Sequence, residues 1–279
     1  MTDRRDEATT RALTDESRAI WNAKAAFWDE RMGEGNAFQR ALIGPATERL
    51  LALRAGELVL DVACGNGVMA RRLATLGARV VGCDFSEVFI ERARARQGVH
   101  TELADRITYQ VVDATREEEL LALGVGRFDA VVCNQAFMDM ATIEPLLRAA
   151  RQLLVPHGRF VFALSHPCFN SGVFRMVAEQ EDGAAGVIVR RGVAVYTYLT
   201  PTTQKGTGMP GEPEPHYYFH RPLSVLLASC FRAGFALDGM EEPSFQEAYQ
   251  SSQVLNWGQL PEIPPVLVCR LRPAESAHA

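Results

Sequence analysis

Several features that would assign the chain to a membrane, an oxidising compartment or nucleic acid are missing from the sequence. No apolar run approaches the ~18–20 residues that are needed to cross a bilayer. Residues 1–10 are charged and contain no apolar segment, which a secretory signal would require. Acidic residues outnumber basic ones, and the net charge of −5 argues against broad attraction to nucleic acid or an anionic membrane. We therefore expect a cytoplasmic protein with no nucleic-acid partner and no membrane partner.

Cysteine pairs at metal-binding or redox spacing are also missing. The six cysteines include no Cys-x-x-Cys motif, and buried, reduced thiols are the simplest interpretation. The remaining composition, with 47% hydrophobic and 23% charged residues, is ordinary for a soluble globular protein. A length of 279 residues favours one elaborated domain over two.

The most informative stretch is an apolar run that leads into a glycine-containing turn. Residues 58–62 are apolar except for Asp61 and predict a buried parallel strand. Gly65 and Gly67 follow, and a helical pattern begins directly after them. Glycines at such a turn let the backbone pass close to a ligand, because no Cβ occupies the space. Since the helix also presents free N–H groups to the turn, the stretch predicts a nucleotide-type binding site.

Acidic residues end the next two apolar runs. Asp84 comes nineteen residues after Gly65, at the distance expected of a ribose-binding acid. Asp113, followed by Ala114, ends the third run and could lie near an adenine amino group. The carboxyl ends of parallel strands form the ligand crevice of such sheets. We therefore expect these acids to face one site.

A dinucleotide is the first alternative ligand for this site. The spacing Gly65-x-Gly67-x-x-Ala70 also satisfies the dinucleotide fingerprint, in which the last position can be alanine. An NAD(P)-dependent oxidoreductase therefore stays open as a second function. A cofactor-binding regulator without turnover is a third.

The pattern of acids and glycines resembles that of the class I S-adenosylmethionine-dependent methyltransferases. The glycine motif of that family matches here with Ala63 at the position of its first glycine, and the resemblance extends well over residues 14–162. It implies that the first acid and the turn hold the methionine end of S-adenosyl-L-methionine, the second acid the ribose and the third the adenine. The cofactor-binding set that it implies is Trp28, Asp61, Ala63, Gly65, Gly67, Asp84, Phe85, Asp113, Ala114 and Asn134.

Alternating strand and helix patterns predict the architecture. Such alternation indicates a parallel sheet with helices on both faces, whereas the last two strands are joined by a non-helical loop and should be antiparallel. The predicted fold is α/β and doubly wound: a mostly parallel seven-stranded sheet with an antiparallel last strand, similar to the Rossmann-like methyltransferase fold. We divide the single domain, 1–279, into an N-terminal helical cap (14–54), a cofactor-binding core (55–165), a lid insertion after strand five (166–221) and the end of the sheet (222–272).

Two members of the cofactor-binding set have structural explanations that are as simple as the functional ones. Trp28 lies in an aromatic-Asp segment that resembles the family's cap, where an indole face could cover the sulfonium. Core packing explains Trp28 equally well. Asn134 follows strand four, where methyl donor and acceptor would meet, and could bind the amino or carboxylate group of the cofactor. It could also be a helix cap or a turn residue.

Histidines at both ends of the insertion are the candidates for proton transfer. His166 opens the insertion, and His220 closes it two residues after Tyr218. Because histidine titrates near neutrality, we predict His166 or His220 as general base and Tyr218 as hydrogen-bond partner. The reaction would carry a methyl group to oxygen, nitrogen or sulfur of a small-molecule acceptor by in-line displacement. Structural hydrogen bonds in the lid are the alternative, and the spacing matches no usual metal-ligand pattern, so no metal is expected.

Overall fold

The computed structural model describes residues 7–171, 173–184, 186–246 and 255–274. Seven strands form the central sheet, and four more form two hairpins in the insertion after the fifth strand. In chain order, the strands of the described ranges are β1 (Leu58–Val62), β2 (Arg79–Asp84), β3 (Ile107–Val111), β4 (Phe128–Asn134), β5 (Leu154–Ser165), β6 (Val173–Gly183), β7 (Gly186–Thr197), β8 (Thr202–Gly206), β9 (His216–His220), β10 (Phe235–Glu241) and β11 (Val266–Pro273).

Helices precede the sheet and alternate with its strands. The α-helices are α1 (Glu7–Met32), α2 (Gly44–Leu51), α3 (Val68–Thr75), α4 (Glu87–Gln97), α5 (Glu117–Leu121), α6 (Glu144–Leu153) and α7 (Leu223–Arg232). A π-helical segment, Gln39–Ile43, leads into α2, and short 3₁₀ turns occupy Thr101–Leu103, Phe137–Asp139 and Trp257–Gln259.

The strand order is β3-β2-β1-β4-β5-β11-β10. Strands β1 to β5 are mutually parallel, and β11 runs antiparallel to both of its neighbours, β5 and β10. The predicted fold class, with its reversed last strand and an insertion after strand five, is therefore confirmed. All five parallel strands end at the same edge, where β1, β2 and β4 deliver Asp61, Asp84 and Asn134.

Two apolar layers enclose the sheet. Alternating side chains of β1 illustrate this, since Leu60 and Val62 pack into the layer that includes α6 and α7, whereas Val59 packs into the layer of α2, α3 and α4. Because both faces are covered, the parallel strands carry nearly continuous apolar sequences instead of alternating ones. The packed layers hold the carboxyl edge in place as a rigid platform.

The N-terminal helix is longer than predicted. The sequence pattern indicates a helix only from residue 15 and frayed residues before it, but α1 begins at Glu7. Its first turns are largely exposed and polar, so they have no apolar periodicity from which a helix could be recognised. The prediction for residues 7–13 was therefore wrong.

Strand β5 also begins earlier than predicted. Pro156-His157-Gly158 was expected to separate a helix from a strand that starts at Arg159, yet β5 starts at Leu154. The pairing explains the difference, because Phe128 pairs with Leu154 and Ala130 with Arg159, so the intervening residues form a bulge. A bulge accommodates proline and glycine that a regular ladder would not.

The insertion forms two antiparallel hairpins, β6–β7 and β8–β9. Only short β-like runs at 187–189 and 193–199 were predicted there, because β6 is rich in charge and lacks an apolar alternation. Within the described ranges, no helix combines the length and the apolar character needed to span a bilayer. All six cysteines are free, and five of them are buried.

Candidate active site

A cleft lies at the carboxyl edge of the parallel strands. Its floor is made by the ends of β1, β2 and β4, and residues of α1 line it as well. The structure brings nine of the ten predicted cofactor-binding residues to the wall of this cleft: Trp28, Asp61, Ala63, Gly65, Asp84, Phe85, Asp113, Ala114 and Asn134.

The turn after β1 is left-handed at three positions. Ala63, Gly65 and Gly67 have φ angles of 54°, 53° and 79°. A Cβ on Gly65 would meet no atom within 4 Å, so this glycine leaves open space on the cleft side. A Cβ on Gly67 would lie 2.3 Å from the Tyr109 hydroxyl, which explains the glycine by packing below the turn. Gly67, the tenth predicted residue, is not part of the cleft wall.

Two buried carboxyl groups lie beside the turn. Asp84 accepts hydrogen bonds from the backbone N–H of Gly65 at 3.0 Å and from that of Ser86 at 2.9 Å. Burial raises the pKa of Asp84 to about 6, against the effect of these hydrogen bonds. Burial and then the charge of Asp84 raise the pKa of Asp61 to about 7. The Oδ2 atom of Asp61 has no hydrogen-bond partner among the described residues.

The third acid is held by a basic residue of the cap. Asp113 accepts a hydrogen bond from Arg18 of α1 at 2.5 Å, and its other oxygen accepts from the backbone and hydroxyl of Thr115. Arg18 also lies over the Phe85 ring, 5.6 Å from its centroid. Asp113 thus joins the cap helix to the end of β3.

The end of β4 and the residues after it contribute polar groups whose hydrogen-bonding capacity is not fully used. Asn134 donates to the Thr47 hydroxyl at 3.3 Å, while its Oδ1 atom has no partner in the described part of the chain. Gln135 has a φ of 55°, a conformation that non-glycine residues seldom adopt away from functional sites. Asp139, at the end of the following 3₁₀ turn, lines the cleft, and its Oδ1 also has no hydrogen-bond partner there.

A buried cluster of charged side chains lies next to Trp28, a residue of the cleft wall. Lys24 of α1 forms an ion pair with Glu212, and both side chains are 0% exposed. The indole N–H of Trp28 donates to the same carboxylate at 2.9 Å. Burial favours the neutral acid, yet hydrogen bonds from Lys24, Trp28 and the Gly208 backbone hold the pKa of Glu212 below its ordinary value.

His216 connects this cluster to Asp139. Its Nδ1 atom lies 2.5 Å from the Lys24 ammonium, and its Nε2 atom faces the Asp139 Oδ1 at 3.8 Å. Nδ1 also lies 3.1 Å from a carboxylate oxygen of Glu212, so the ring contacts both members of the ion pair. Burial and the charge of Lys24 lower the pKa of His216 to about 4, so the ring is neutral at pH 7.

The three residues predicted for proton transfer do not line the cleft. His166 contacts Glu242 at 2.8 Å and accepts from the Cys168 backbone at 3.1 Å. His220 contacts the Tyr198 carbonyl at 2.6 Å and the Ser171 hydroxyl at 2.9 Å. Such contacts are typical of histidines that make structural hydrogen bonds in the lid, the alternative to proton transfer. Tyr218 packs against His216 with tilted rings, whose centroids lie 4.4 Å apart.

Comparisons with known proteins agree with this geometry. Residues 60–162 match the family model described as "Methyltransferase domain". A ubiquinone biosynthesis O-methyltransferase from Alkalilimnicola ehrlichii is 29% identical over 167 residues, or 58% of this chain. That alignment spans 64% of the relative, less than two thirds of its length. A crystal structure of an S-adenosylmethionine dependent methyltransferase from Mesorhizobium loti has a TM-score of 0.65 and 25% identity, covering 85% of this chain and 100% of that one.

Residues 60–162 thus carry a methyltransferase domain, and the predicted resemblance to the class I S-adenosylmethionine-dependent methyltransferases is confirmed. The fold alone is shared with a more distant Burkholderia thailandensis 1,6-didemethyltoxoflavin-N1-methyltransferase, at a TM-score of 0.57 and 14% identity over 99% of this chain and 93% of that one. The comparisons give the NAD(P)-dependent alternative no support. The cofactor of this methyltransferase family is S-adenosyl-L-methionine.

The cleft of this methyltransferase has the donors and acceptors that such a cofactor needs. The unpaired Oδ2 of Asp61 suits a cationic amino group, and the missing side chain of Gly65 leaves room beside it. The oxygens of Asp84 each accept one backbone N–H and have a further lone pair for a hydroxyl group. The residues that are present therefore fit the methionine and ribose portions of the cofactor.

Sequence reasoning passed over Lys24, Glu212 and Asp139. A signal for Lys24 exists, because it falls on the apolar face of α1 three residues after Trp21 and four before Trp28. A lysine there must find a buried partner. Glu212 and Asp139 lie in loops, where no periodic pattern marks burial.

Proposed function

We propose that this methyltransferase transfers a methyl group from S-adenosyl-L-methionine to a small-molecule acceptor. The observation that carries the proposal is Asp61, whose 1% exposed carboxyl group keeps an unpaired oxygen beside the left-handed turn of the cleft. A small-molecule acceptor is supported by the curated relative, which is named for O-methylation in ubiquinone biosynthesis. Oxygen is accordingly the first of the predicted acceptor atoms, before nitrogen and sulfur.

The proposed cofactor contacts follow the order of the strands. Asp61 and Asn134 would bind the amino and carboxylate groups, the turn at Gly65 would pass close to them, and Asp84 would bind the ribose hydroxyls. The adenine would lie between Phe85 and Ala114, with Asp113 near its amino group, and Trp28 would cover the methionine end. The bound cofactor supplies a methyl group on a positively charged sulfur.

The chain itself has to orient the acceptor and keep water out. Helix α1 lines the cleft, and the buried ion pair of its Lys24 with Glu212 holds the helix to the insertion, which serves the second requirement. The assignment of proton transfer to His166, His220 and Tyr218 stays a prediction, and it has less support because none of the three lines the cleft. The cytoplasmic location, the lack of a nucleic-acid or membrane partner and the domain division also stay predictions.

Replacing Asp84 tests the proposal most directly. We expect Asp84→Ala to weaken S-adenosylhomocysteine binding by about 1–3 kcal/mol, since hydrogen bonds to a charged group are lost. Isothermal titration calorimetry measures this, with the exposed Asp105→Ala as a matched control that binds like the wild type. Equal affinity of Asp84→Ala and the wild type, or fluorescence-detected binding of reduced nicotinamide cofactor in its place, would contradict the proposal. A metabolite panel screened for release of S-adenosylhomocysteine would then identify the acceptor.

A further inference from the structure

Asp139 is a carboxyl group that faces the cleft without using its hydrogen-bonding capacity. Its side chain is 14% exposed, and its Oδ1 atom has no hydrogen-bond partner in the described part of the chain. Leaving a buried acceptor unsatisfied costs about 1–3 kcal/mol. Such a cost is expected where a ligand supplies the missing donor.

The surrounding structure fixes the position of Asp139. Arg221 donates to the backbone carbonyl of Phe137 at 2.9 Å and to those of Met140 and Ala141 at 2.8 and 3.1 Å. These carbonyls lie on both sides of Asp139 in the chain. The guanidinium group thus clamps the loop, so the carboxyl group is held in place before any ligand binds.

The charged groups around Asp139 come from two elements that cover the cleft. The Nε2 atom of His216 faces it at 3.8 Å, too far for a hydrogen bond, and the Lys24–Glu212 pair lies behind that ring. Burial raises the pKa of Asp139 well above its ordinary value, although the charge of Lys24 opposes the shift. A carboxyl group with a raised pKa accepts a proton more readily at neutral pH than an ordinary one.

The neighbouring wall of the cleft is aromatic. Trp21 and Trp28 both line it, with ring centroids 5.3 Å apart, and His216 lies 4.7 Å from Trp21. The wall therefore offers flat apolar surfaces on the side of the cleft where Asp139 has its unpaired Oδ1 atom. This combination matches a flat, apolar ligand that carries one hydrogen-bond donor.

We propose that Asp139 binds the hydroxyl group of a phenolic methyl acceptor and takes up its proton during transfer. This inference rests on the proposed function. The acceptor oxygen forms its bond to the methyl carbon while the bond from that carbon to sulfur breaks, and the electron pair of that bond goes to sulfur. The O–H electron pair stays on the acceptor oxygen, and the proton goes to a carboxylate oxygen of Asp139. Charge is conserved, because the donor loses its positive charge and Asp139 its negative charge.

Tryptophan fluorescence tests the assignment with two pairs of probes. Catechol and 1-naphthol carry the hydroxyl group, and their methyl ethers veratrole and 1-methoxynaphthalene lack it. The titrations are done with and without S-adenosylhomocysteine, and Trp21 and Trp28 report binding because they line the cleft. We expect the wild type to bind each hydroxyl probe at least tenfold more tightly than its ether. Asp139→Asn should reduce this preference, because a neutral amide oxygen is a weaker acceptor than a carboxylate, whereas Asp105→Asn, at an exposed position, should keep it.

The outcomes separate this inference from the proposed function. Calorimetry with S-adenosylhomocysteine should give Asp139→Asn the affinity of the wild type, which also shows that the variant is folded. Failure of the wild type to bind S-adenosylhomocysteine would contradict the proposed function, while the probe titrations without it still decide the role of Asp139. Equal binding of hydroxyl probes and ethers by the wild type, or an unchanged preference in Asp139→Asn, would overturn the inference.

Discussion

The floor and the cover of the cleft are built from different kinds of chain segment. The floor consists of strand ends that are neighbours in one sheet, and its acids Asp61 and Asp84 are buried with no cationic partner among the described residues. The cover joins Lys24, Asp139 and Glu212, which are far apart in sequence, and its central charges compensate each other. The carboxyl groups of the floor are thus left for a ligand to neutralise. The charges of the cover neutralise one another and hold its segments together.

The largest effect is expected where the compensation in the cover is broken. Lys24→Met leaves Glu212 buried without a cation, and we expect it to lower the free energy of unfolding by about 3–5 kcal/mol. Chemical denaturation measures this loss. The double variant Lys24→Met/Glu212→Gln should recover most of it. Lys205→Met, at the exposed ion pair with Glu16, is the matched control and should change little. A small effect of Lys24→Met would show that the cover is not held by this pair.

The next effect sharpens the role of the floor. Gly65→Val forces a β-branched residue to a φ of 53° and places its side chain in the cleft, so S-adenosylhomocysteine binding should weaken by about 3 kcal/mol. Gly126→Val is a matched control, since Gly126 has a φ of 62° and open space around its missing Cβ but does not line the cleft. Both variants should lose similar stability in thermal melts. Equal cofactor affinity of the two variants would count against the floor as the binding surface.

A smaller effect should appear in the pH dependence of stability. The folded pKa values of Asp61 and Asp84, about 7 and about 6, lie above the ordinary value of 3.8. Their stabilising contribution is therefore complete below pH 3.8 and is lost as pH rises through 6 to 7. Between pH 5 and pH 8, we expect the protein without added cofactor to lose about 2 kcal/mol of unfolding free energy relative to Asp61→Asn. If the unfolding free energies of the wild type and Asp61→Asn changed equally with pH, the floor would not contain an uncompensated buried carboxyl group.

The smallest effect concerns the alanine in the turn. The left-handed backbone of Ala63 destabilises the folded state by about 1–2 kcal/mol. Glycine would remove this strain but would lose about 0.5–1 kcal/mol more chain entropy on folding. Ala63→Gly should therefore raise the free energy of unfolding by less than about 1 kcal/mol. Ala52→Gly, at a φ of 45° in the cap of α2, is a matched control with the same gain but no contact with the cleft. Destabilisation by Ala63→Gly would show that the turn is shaped by something other than this backbone angle.

The same contrast explains what could be predicted from the sequence. The floor follows from local rules, because a buried strand places its last residue at the sheet edge whatever the rest of the chain does. Asp61, Asp84, Asp113 and Asn134 were found in this way. Serine directly before a helix is typical of an N-cap, and Ser86 before α4 accepts from the Phe89 backbone at 3.1 Å.

The cover was not predictable in the same way. His216 and His220 lie in one strand, four residues apart, and sequence alone gives no reason to prefer the first over the second. Their environments differ only because β9 turns one histidine towards Lys24 and the other towards the Tyr198 carbonyl. For Gly67, the motif predicts a contact with the ligand. The structure explains this glycine instead by the close packing of Tyr109. Long-range contacts of this kind carry no periodic or motif signal.

The shared carboxylate of Glu212 has a consequence for the speed of the working cycle. It contacts Lys24 and Trp28 of α1 and the backbone N–H of Gly208 at once, so it links α1 to the loop that contains Gly208. Because α1 lines the cleft, we expect the release of the spent donor to require this buried ion pair to separate. We therefore expect the release of the by-product, instead of the bond exchange, to limit the turnover number.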